Sequence, residues 1–350
     1  MNKTVAVKGV KKPYDIIIGK DILGILPEKI MEISKAKTVV IITDDNVDRI
    51  YSDTILKILK NAGFNILKFA FPHGEKHKTM ETVCEILEFL AENNVTRTDL
   101  IIALGGGIVG DVSGYVSASY LRGIDFIQVP TTFLAAIDSS VGGKTGVNLK
   151  AGKNLAGAFY QPRLVVCDIK TFDTLKEENF KEGVSEAIKY GVICDKELFD
   201  LLSKNDNWDI VSIIERCVSI KAKIVSQDEF DRGERQLLNF GHTIGHAIEK
   251  ATDFKITHGI AVGIGMAIIS KISDSMKWTT ENTNMQITNC LENNGIPTEC
   301  NVETDELLSA MVKDKKINGE TINLVIPEKI GGCVLKRINV SLLKEVLECR

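Results

Sequence analysis

The segment LIIALGGGIVGDVSGYVSASYLRG, residues 100–123, reads as a buried strand, a glycine turn and a helix rich in small residues. Gly105, Gly107 and Gly110 satisfy the GxGxxG spacing, which lets backbone amides and a helix N-terminus approach a pyrophosphate. The usual dinucleotide fingerprint opens the first βα unit and places its ribose-binding acid at the end of the next strand. Here the turn comes after residue 100, and Asp125 begins the next strand-like run, IDFIQVP at 124–130. A second arrangement keeps the same chemistry, with Asp44 from an earlier strand at the adenosine end and the triple glycine at the phosphates. For Asp44 a helix N-cap is an equal reading.

Outward from this unit the pattern repeats. VAVKGVKKPYDIIIG (5–19) predicts a β-hairpin, and KTVVIITDDNV (37–47) a buried strand with acids at its C-terminal end. The helix DTILKILKNAG (53–63), the strand NILKFAFP (65–72), the loop HGEKHKT (73–79) and a helix from Thr79 to Asn93 follow. Strand alternating with helix means a parallel sheet. After LVVCDI (164–169) the runs become helical, as in EGVSEAIKYGVI (182–193) and DIVSIIERCVSIKAKIVSQDE (209–229). We expect an α/β domain with a Rossmann-like parallel sheet over residues 1–170. A mainly α-helical domain over 171–350 follows, with the active site in the cleft between them.

Three of the chain's five histidines lie in LLNFGHTIGHAIEKATDFKITH, residues 237–258. His242 and His246 are four apart, so on a helix both imidazoles share one face. His258 opens a second apolar segment whose small residues suit close helix packing. Three imidazoles do not prove a metal, because a lone HxxxH is often two helix-surface histidines. A catalytic zinc needs only three nitrogen or oxygen donors and an open position. The eight cysteines form no CxxC pair, so thiolate ligation is not expected, and Glu186 is the best carboxylate to complete a set.

Residues 129–162, VPTTFLAAIDSSVGGKTGVNLKAGKNLAGAFYQP, concentrate Thr131, Thr132, Asp138, Ser139, Lys144, Lys153 and Asn154 among five glycines. GGKTG only superficially resembles a P-loop. It suggests an ammonium on a tight backbone turn, against the plainer reading of solvated loop charge. The chain has 350 residues, 44% hydrophobic and 26% charged, with a net charge of -4, an ordinary globular balance long enough for two domains. No basic surplus is available to hold nucleic acid. No signal-peptide core or bilayer-length apolar run is present, so a cytoplasmic enzyme with reduced thiols and no membrane partner is expected.

The strings PHGEKHKT, the glycine segment above, QVPTTFLAAIDSSVGGKTGVN, GKNLAGAFYQP, EGVSEAIKYG, KAKIVSQDE, LLNFGHTIGHAIE, THGIAVGIGM and MVKDKKINGETINLVIP occur in the order of the motifs of 3-dehydroquinate synthases. The chain resembles that family over nearly its whole length. The resemblance implies an NAD- and metal-dependent carbon–oxygen lyase of the shikimate pathway. Its substrate would be 3-deoxy-D-arabino-heptulosonate 7-phosphate and its products 3-dehydroquinate and phosphate. The route is transient oxidation by NAD, phosphate elimination, re-reduction and intramolecular aldol closure. Another sugar-phosphate cyclase, or a glycerol-dehydrogenase-like alcohol dehydrogenase, is the alternative.

Carried over by position, the resemblance assigns the metal to Glu186, His242 and His258, with zinc expected and cobalt also suited. It turns His246 towards substrate. It assigns NAD to Asp44, Asn46, Glu75, Lys78, Gly107, Ile108, Val109, Gly110, Asp111, Thr131, Thr132, Lys144, Lys153, Thr171, Phe172, Asp173 and Thr174. The substrate falls to Arg122, Asp138, Lys144, Lys153, Asn154, Lys189, Lys221, Arg235, Asn239 and one or both of Lys315 and Lys316. A homodimer is compatible with it. Asp231, Glu234 and Ile260 depart from the family pattern, and the shorter Asp231 carboxylate is the change closest to the metal chemistry.

Overall fold

The computed structural model describes residues 2–280, 282–312, 317–318 and 320–349. They form two compact units, Met1–Leu175 with Lys221–Phe230, and Lys176–Ile220 with Asp231–Arg350. The division thus falls five residues beyond the expected 170/171 boundary. The end of the helix Ile210–Gln227 groups with the first unit, where the sequence reading placed it in the second. Its reason is polar and aromatic contact that no periodicity reports. Lys221 Nζ donates to the carbonyl and Oδ1 of Asp138, both at 2.8 Å, Gln161 donates to Glu229 at 3.0 Å, and the rings of Phe159 and Phe230 are 5.4 Å apart.

The first unit carries strands β1 (Lys3–Val7), β2 (Tyr14–Gly19), β3 (Thr38–Asp44), β4 (Asn65–Phe71), β5 (Leu100–Gly105), β6 (Asp125–Pro130), β7 (Lys144–Leu149), β8 (Gly152–Phe159) and β9 (Leu164–Asp168). Among the described residues, seven of these make one sheet in the order β1-β2-β9-β6-β5-β3-β4. β1 and β2 are the expected antiparallel hairpin, and every other pair is parallel.

Alternate residues of the parallel strands point to opposite faces, and both faces are covered, which is why the strands read as unbroken apolar runs. Val39, Ile41, Leu100 and Ile102 pack with Leu26, Ile30, Ile55 and Leu59 of the helices Leu26–Ile33 and Asp53–Asn61. Val40, Ile42, Ile101 and Ala103 pack with Val83, Ile86, Val112 and Val116 of the helices Met80–Glu92 and Gly107–Ser119. From β3 the chain steps one way to β4 and then returns to place β5 on the other side. The sheet's topological switch therefore lies between the C-terminal ends of β3 and β5, where open α/β sheets bind ligands. Asp44 ends β3 and Gly105 ends β5.

The segment read as a glycine-flanked loop is more regular than expected. β7 and β8 form an antiparallel ribbon in which Lys144 pairs with Phe159. Gly142 and Gly143 turn into it at φ +93° and +66°.

The second unit is mainly helical, with helices Glu177–Cys194, Lys196–Lys204, His242–Ala251, His258–Ser275, Thr283–Asn293 and Thr304–Val312. It also holds an antiparallel sheet of β10 (Ile317–Asn318), β11 (Thr321–Lys329) and β12 (Gly332–Asn339), which the periodicity reading did not single out. The helices His242–Ala251 and His258–Ser275 lie close, as their small residues imply. A methyl on Gly245 would come within 2.9 Å of the Ala261 carbonyl oxygen. Gly241, at φ +75°, lets the chain turn into the first helix beneath Met266. No helix among the described residues is long and apolar enough to cross a membrane.

Candidate functional site

In the first unit most of the residues expected to meet NAD sit at or just past the C-terminal ends of five parallel strands, while Lys144 and Lys153 lie on β7 and β8. Asp44 ends β3 and Asn46 follows it, Glu75 and Lys78 follow β4, Gly107 to Asp111 follow β5, Thr131 and Thr132 follow β6, and Thr171 to Thr174 follow β9. One polar network joins several of them. Lys78 is only 5% exposed, and its Nζ lies 2.5 Å from Asp111 Oδ2 and 2.6 Å from Asn154 Oδ1. Asn148 donates to Glu75 at 2.8 Å and accepts from the Asn154 amide at 2.9 Å. Lys153 Nζ stands 3.6 Å from Glu75 Oε1. Burial pushes the Asp111 carboxyl up, and Lys78 opposes the shift.

Local contacts refine individual expectations. Asp44 is an N-cap: its Oδ1 accepts from the amides of Asn46 and Val47 at 2.9 and 3.0 Å, so the capping reading is realised. Burial raises its pKa. The Val109 side chain faces the apolar core, which leaves its backbone as the part near the glycine turn. The buried Thr131 hydroxyl has no hydrogen-bond partner among the described residues and marks the end of β6 as a place where a polar group fits. Thr132 Oγ1 accepts from the Ala135 amide at 3.1 Å. Thr171 to Thr174 lie in the 3-10 turn Ile169–Thr174, with the Thr171 hydroxyl on the Asp168 carbonyl and Thr174 Oγ1 2.6 Å from the Tyr51 hydroxyl. The Phe172 ring packs on Phe133, with Asp173 beside it in the same turn.

Arg122 is not brought to this cluster. The helix Gly107–Ser119 carries the chain about 20 Å back from the glycine turn, so Arg122 precedes β6 at the opposite, N-terminal end of the parallel strands, at φ +65°. Lys144 is exposed at the start of β7. Lys315 and Lys316 lie outside the described residues.

In the second unit the helix Glu177–Cys194 buries Glu186 and Lys189 completely, and Lys189 Nζ is 2.5 Å from Glu186 Oε2. The other carboxylate oxygen, Oε1, lies 3.4 Å from His242 Nε2 and 3.5 Å from His258 Nε2. These spacings exceed those of good hydrogen bonds, and Glu186 Oε1 has no hydrogen-bond partner among the described residues. One donor atom from each of the three residues lies within 4.8 Å of the others. Three converging donors that bond poorly to one another suit a metal held by two imidazoles and a carboxylate. His246 completes a triangle of rings, 5.5 Å from His242 and 5.7 Å from His258. It belongs to a second donor group with Glu249 and His258.

The charges around this point are tuned. Burial opposes ionisation of Glu186, but Lys189 and His242 hold its carboxyl well below the usual range. Burial brings His242 down to about 4, a neutral imidazole whose Nδ1 faces the Phe240 carbonyl at 3.1 Å. Burial would lower His258 as well, yet the Glu186 and Glu249 carboxylates that face its two ring nitrogens outweigh it and raise the ring to about 10. Arg235 is buried and Asn239 half-buried in the 3-10 segment Glu234–Asn239 that leads into His242. Asp231, at φ +59°, and the exposed Glu234 flank it, and Ile260 is half-buried in the first turn after His258.

Sequence reasoning missed Asn148 and Glu249. Glu249 had a signal, since residues 242, 246 and 249 share one helical face. Asn148 had none short of knowing that β7 and β8 pair.

The fold, an open α/β sheet and a mainly helical unit, is shared with solved structures of carbocycle-forming synthases and of alcohol dehydrogenases. The structure is similar to that of a 2-deoxy-scyllo-inosose synthase complexed with carbaglucose-6-phosphate, NAD+ and Co2+, with a TM-score of 0.89 and 26% identity over 99% of each chain. Glycerol dehydrogenase from Schizosaccharomyces pombe shares the fold at a TM-score of 0.66 and 16% identity, over 95% of this chain and 87% of that one. Residues 68–182 match the model described as 3-dehydroquinate synthase N-terminal, and residues 183–317 the one described as 3-dehydroquinate synthase C-terminal. A 3-dehydroquinate synthase from Clostridium botulinum (strain Alaska E43 / Type E3) is 43% identical over 98% of this chain and 100% of its own length. One from Streptococcus suis (strain 05ZYH33) is 41% identical over 96% and 97%. The chain belongs to the 3-dehydroquinate synthase family.

Proposed function

We propose that the chain converts 3-deoxy-D-arabino-heptulosonate 7-phosphate to 3-dehydroquinate and phosphate as an NAD- and metal-dependent lyase. One observation carries this reading: a chain matching 3-dehydroquinate synthases from end to end gathers Glu186, His242 and His258 around a single point. When bound, NAD supplies a reversible hydride acceptor and a divalent ion, zinc by preference, a Lewis acid for the substrate oxygens. Glu186, His242 and His258 would hold the ion. The loops after β3, β4, β5, β6 and β9 would hold NAD, with the glycine turn at its phosphates.

The remaining groups serve the substrate. In the first unit, Lys144, Lys153, Asn154, Asp138 and Lys221 supply cations and hydrogen bonds for a phosphate and hydroxyls. In the second, Arg235, Lys189, Asn239 and His246 do the same for anionic oxygens and for proton movement. Cations fixed in advance stabilise a departing phosphate without reorganising. A second reading, another sugar-phosphate cyclase, is favoured by the likeness to 2-deoxy-scyllo-inosose synthase. Incubating the protein with the heptulosonate phosphate and identifying the product by mass and NMR separates the two. Formation of 3-dehydroquinate supports the first reading, and no turnover of this substrate overturns it.

A further inference from the structure

We infer that Glu249 is a positioning residue for the metal set, fixing the tautomer and ring plane of His258. The inference rests on the metal reading above. Glu249 lies on the helix His242–Ala251, one turn beyond His246, and is 2% exposed. Its Oε2 stands 3.2 Å from His258 Nδ1, while the opposite nitrogen of that ring, Nε2, faces Glu186 Oε1 at 3.5 Å. An ionised carboxylate only accepts hydrogen bonds. It therefore accepts a hydrogen bond from the Nδ1 proton, and with a metal bound the Nε2 lone pair would be the one left to face the point where Glu186 and His242 converge. An imidazole that binds a metal through one nitrogen commonly donates its other N–H to such a partner, which orients the ring and raises its basicity.

The other two donors are held from behind in different ways. The Phe240 carbonyl faces His242 Nδ1 at 3.1 Å, and Lys189 Nζ meets Glu186 Oε2 at 2.5 Å. The partner of His258 is a buried side chain on a separate element from His258 itself. Its loss would free the ring to rotate about its own side-chain bonds.

The test uses the full chain as wild type, Glu249→Gln and Glu249→Leu. Each is stripped of metal and titrated with Zn2+ against a chromophoric chelator, then loaded with Co2+ for visible absorption. The Zn2+-loaded proteins are examined by NMR for the His258 Nδ1 proton. We expect Glu249→Gln, whose amide oxygen still accepts from Nδ1, to bind Zn2+ about 10-fold more weakly and to keep that proton signal. Glu249→Leu should approach a loss of about 100-fold and lose the signal. Both should keep the wild-type Co2+ band intensity, because no ligand is removed. Either variant binding Zn2+ with wild-type affinity overturns the inference. A Co2+ spectrum showing a changed ligand number in Glu249→Gln also overturns it, since Glu249 would then be a ligand itself, with His246 and His258. Wild-type protein that binds no Zn2+ would overturn the metal reading underneath.

Discussion

His242 and His258 face the same carboxylate yet are driven in opposite directions, because burial wins at the first, whereas at the second Glu186 and Glu249 together outweigh it. Their pH consequences in metal-free protein are opposite too. A pKa lowered from 6.5 to about 4 means that His242 contributes stability above about pH 6.5 and loses it as pH falls towards 4. A pKa raised from 6.5 to about 10 means that His258 contributes fully below about pH 6.5 and loses it as pH rises through 10. Thermal unfolding of the metal-free chain should therefore show a His258→Gln variant whose deficit is largest below pH 6.5 and shrinks at alkaline pH. A deficit independent of pH would contradict the ion-pair account. At Arg235 the planar guanidinium can grip two oxygens, which lysine cannot reproduce. Arg235→Lys should lower kcat/KM for the heptulosonate phosphate by about 10- to 100-fold, the weight of one charge-assisted hydrogen bond, with NAD affinity unchanged by calorimetry. The reverse pattern would move Arg235 to the nucleotide.

The helices His242–Ala251 and His258–Ser275 matter as a pair, because the first carries His242, His246 and Glu249 and the second begins with His258. Their closeness depends on side chains that are absent: a methyl on Gly245 would meet the Ala261 carbonyl, and one on Gly265 the Gly241 carbonyl. Gly245→Val alters no donor atom. It should nevertheless destabilise the metal-free protein by about 1–3 kcal/mol in urea, an overpacking cost, and weaken Zn2+ binding by parting His258 from His242. Unchanged Zn2+ affinity would show that the donor geometry is held from the Glu186 side alone.

For the molecule as a catalyst, the discriminating property is what happens to the cofactor. A dehydrogenase with this fold would release NADH in step with product. A cyclase that oxidises and then reduces the same carbon regenerates its NAD. We expect NAD well below the substrate concentration to support full conversion, with one phosphate released per turnover in a coupled phosphate assay. NADH accumulating stoichiometrically at 340 nm without phosphate would place the chain with the alcohol dehydrogenases that share its fold.

The α/β plan was legible from residues 100–123 outward because strands covered on both faces must be apolar throughout and their helices amphipathic, a local pattern. The HxxxH spacing likewise placed His242 and His246 on one helical face without reference to anything distant. Contacts between segments remote in sequence belonged to the tertiary structure. The return of Lys221–Phe230 to the first unit depends on Asp138, Gln161 and Phe159, and no repeat in the chain relates those positions. Arg122 and Gly107 are near in sequence, but the helix between them sets them at opposite ends of the parallel strands. Which acid stands behind His258 was decided only when two helices crossed closely enough for Glu249 to reach its Nδ1, since a hydrogen bond depends on distance in space and not along the chain.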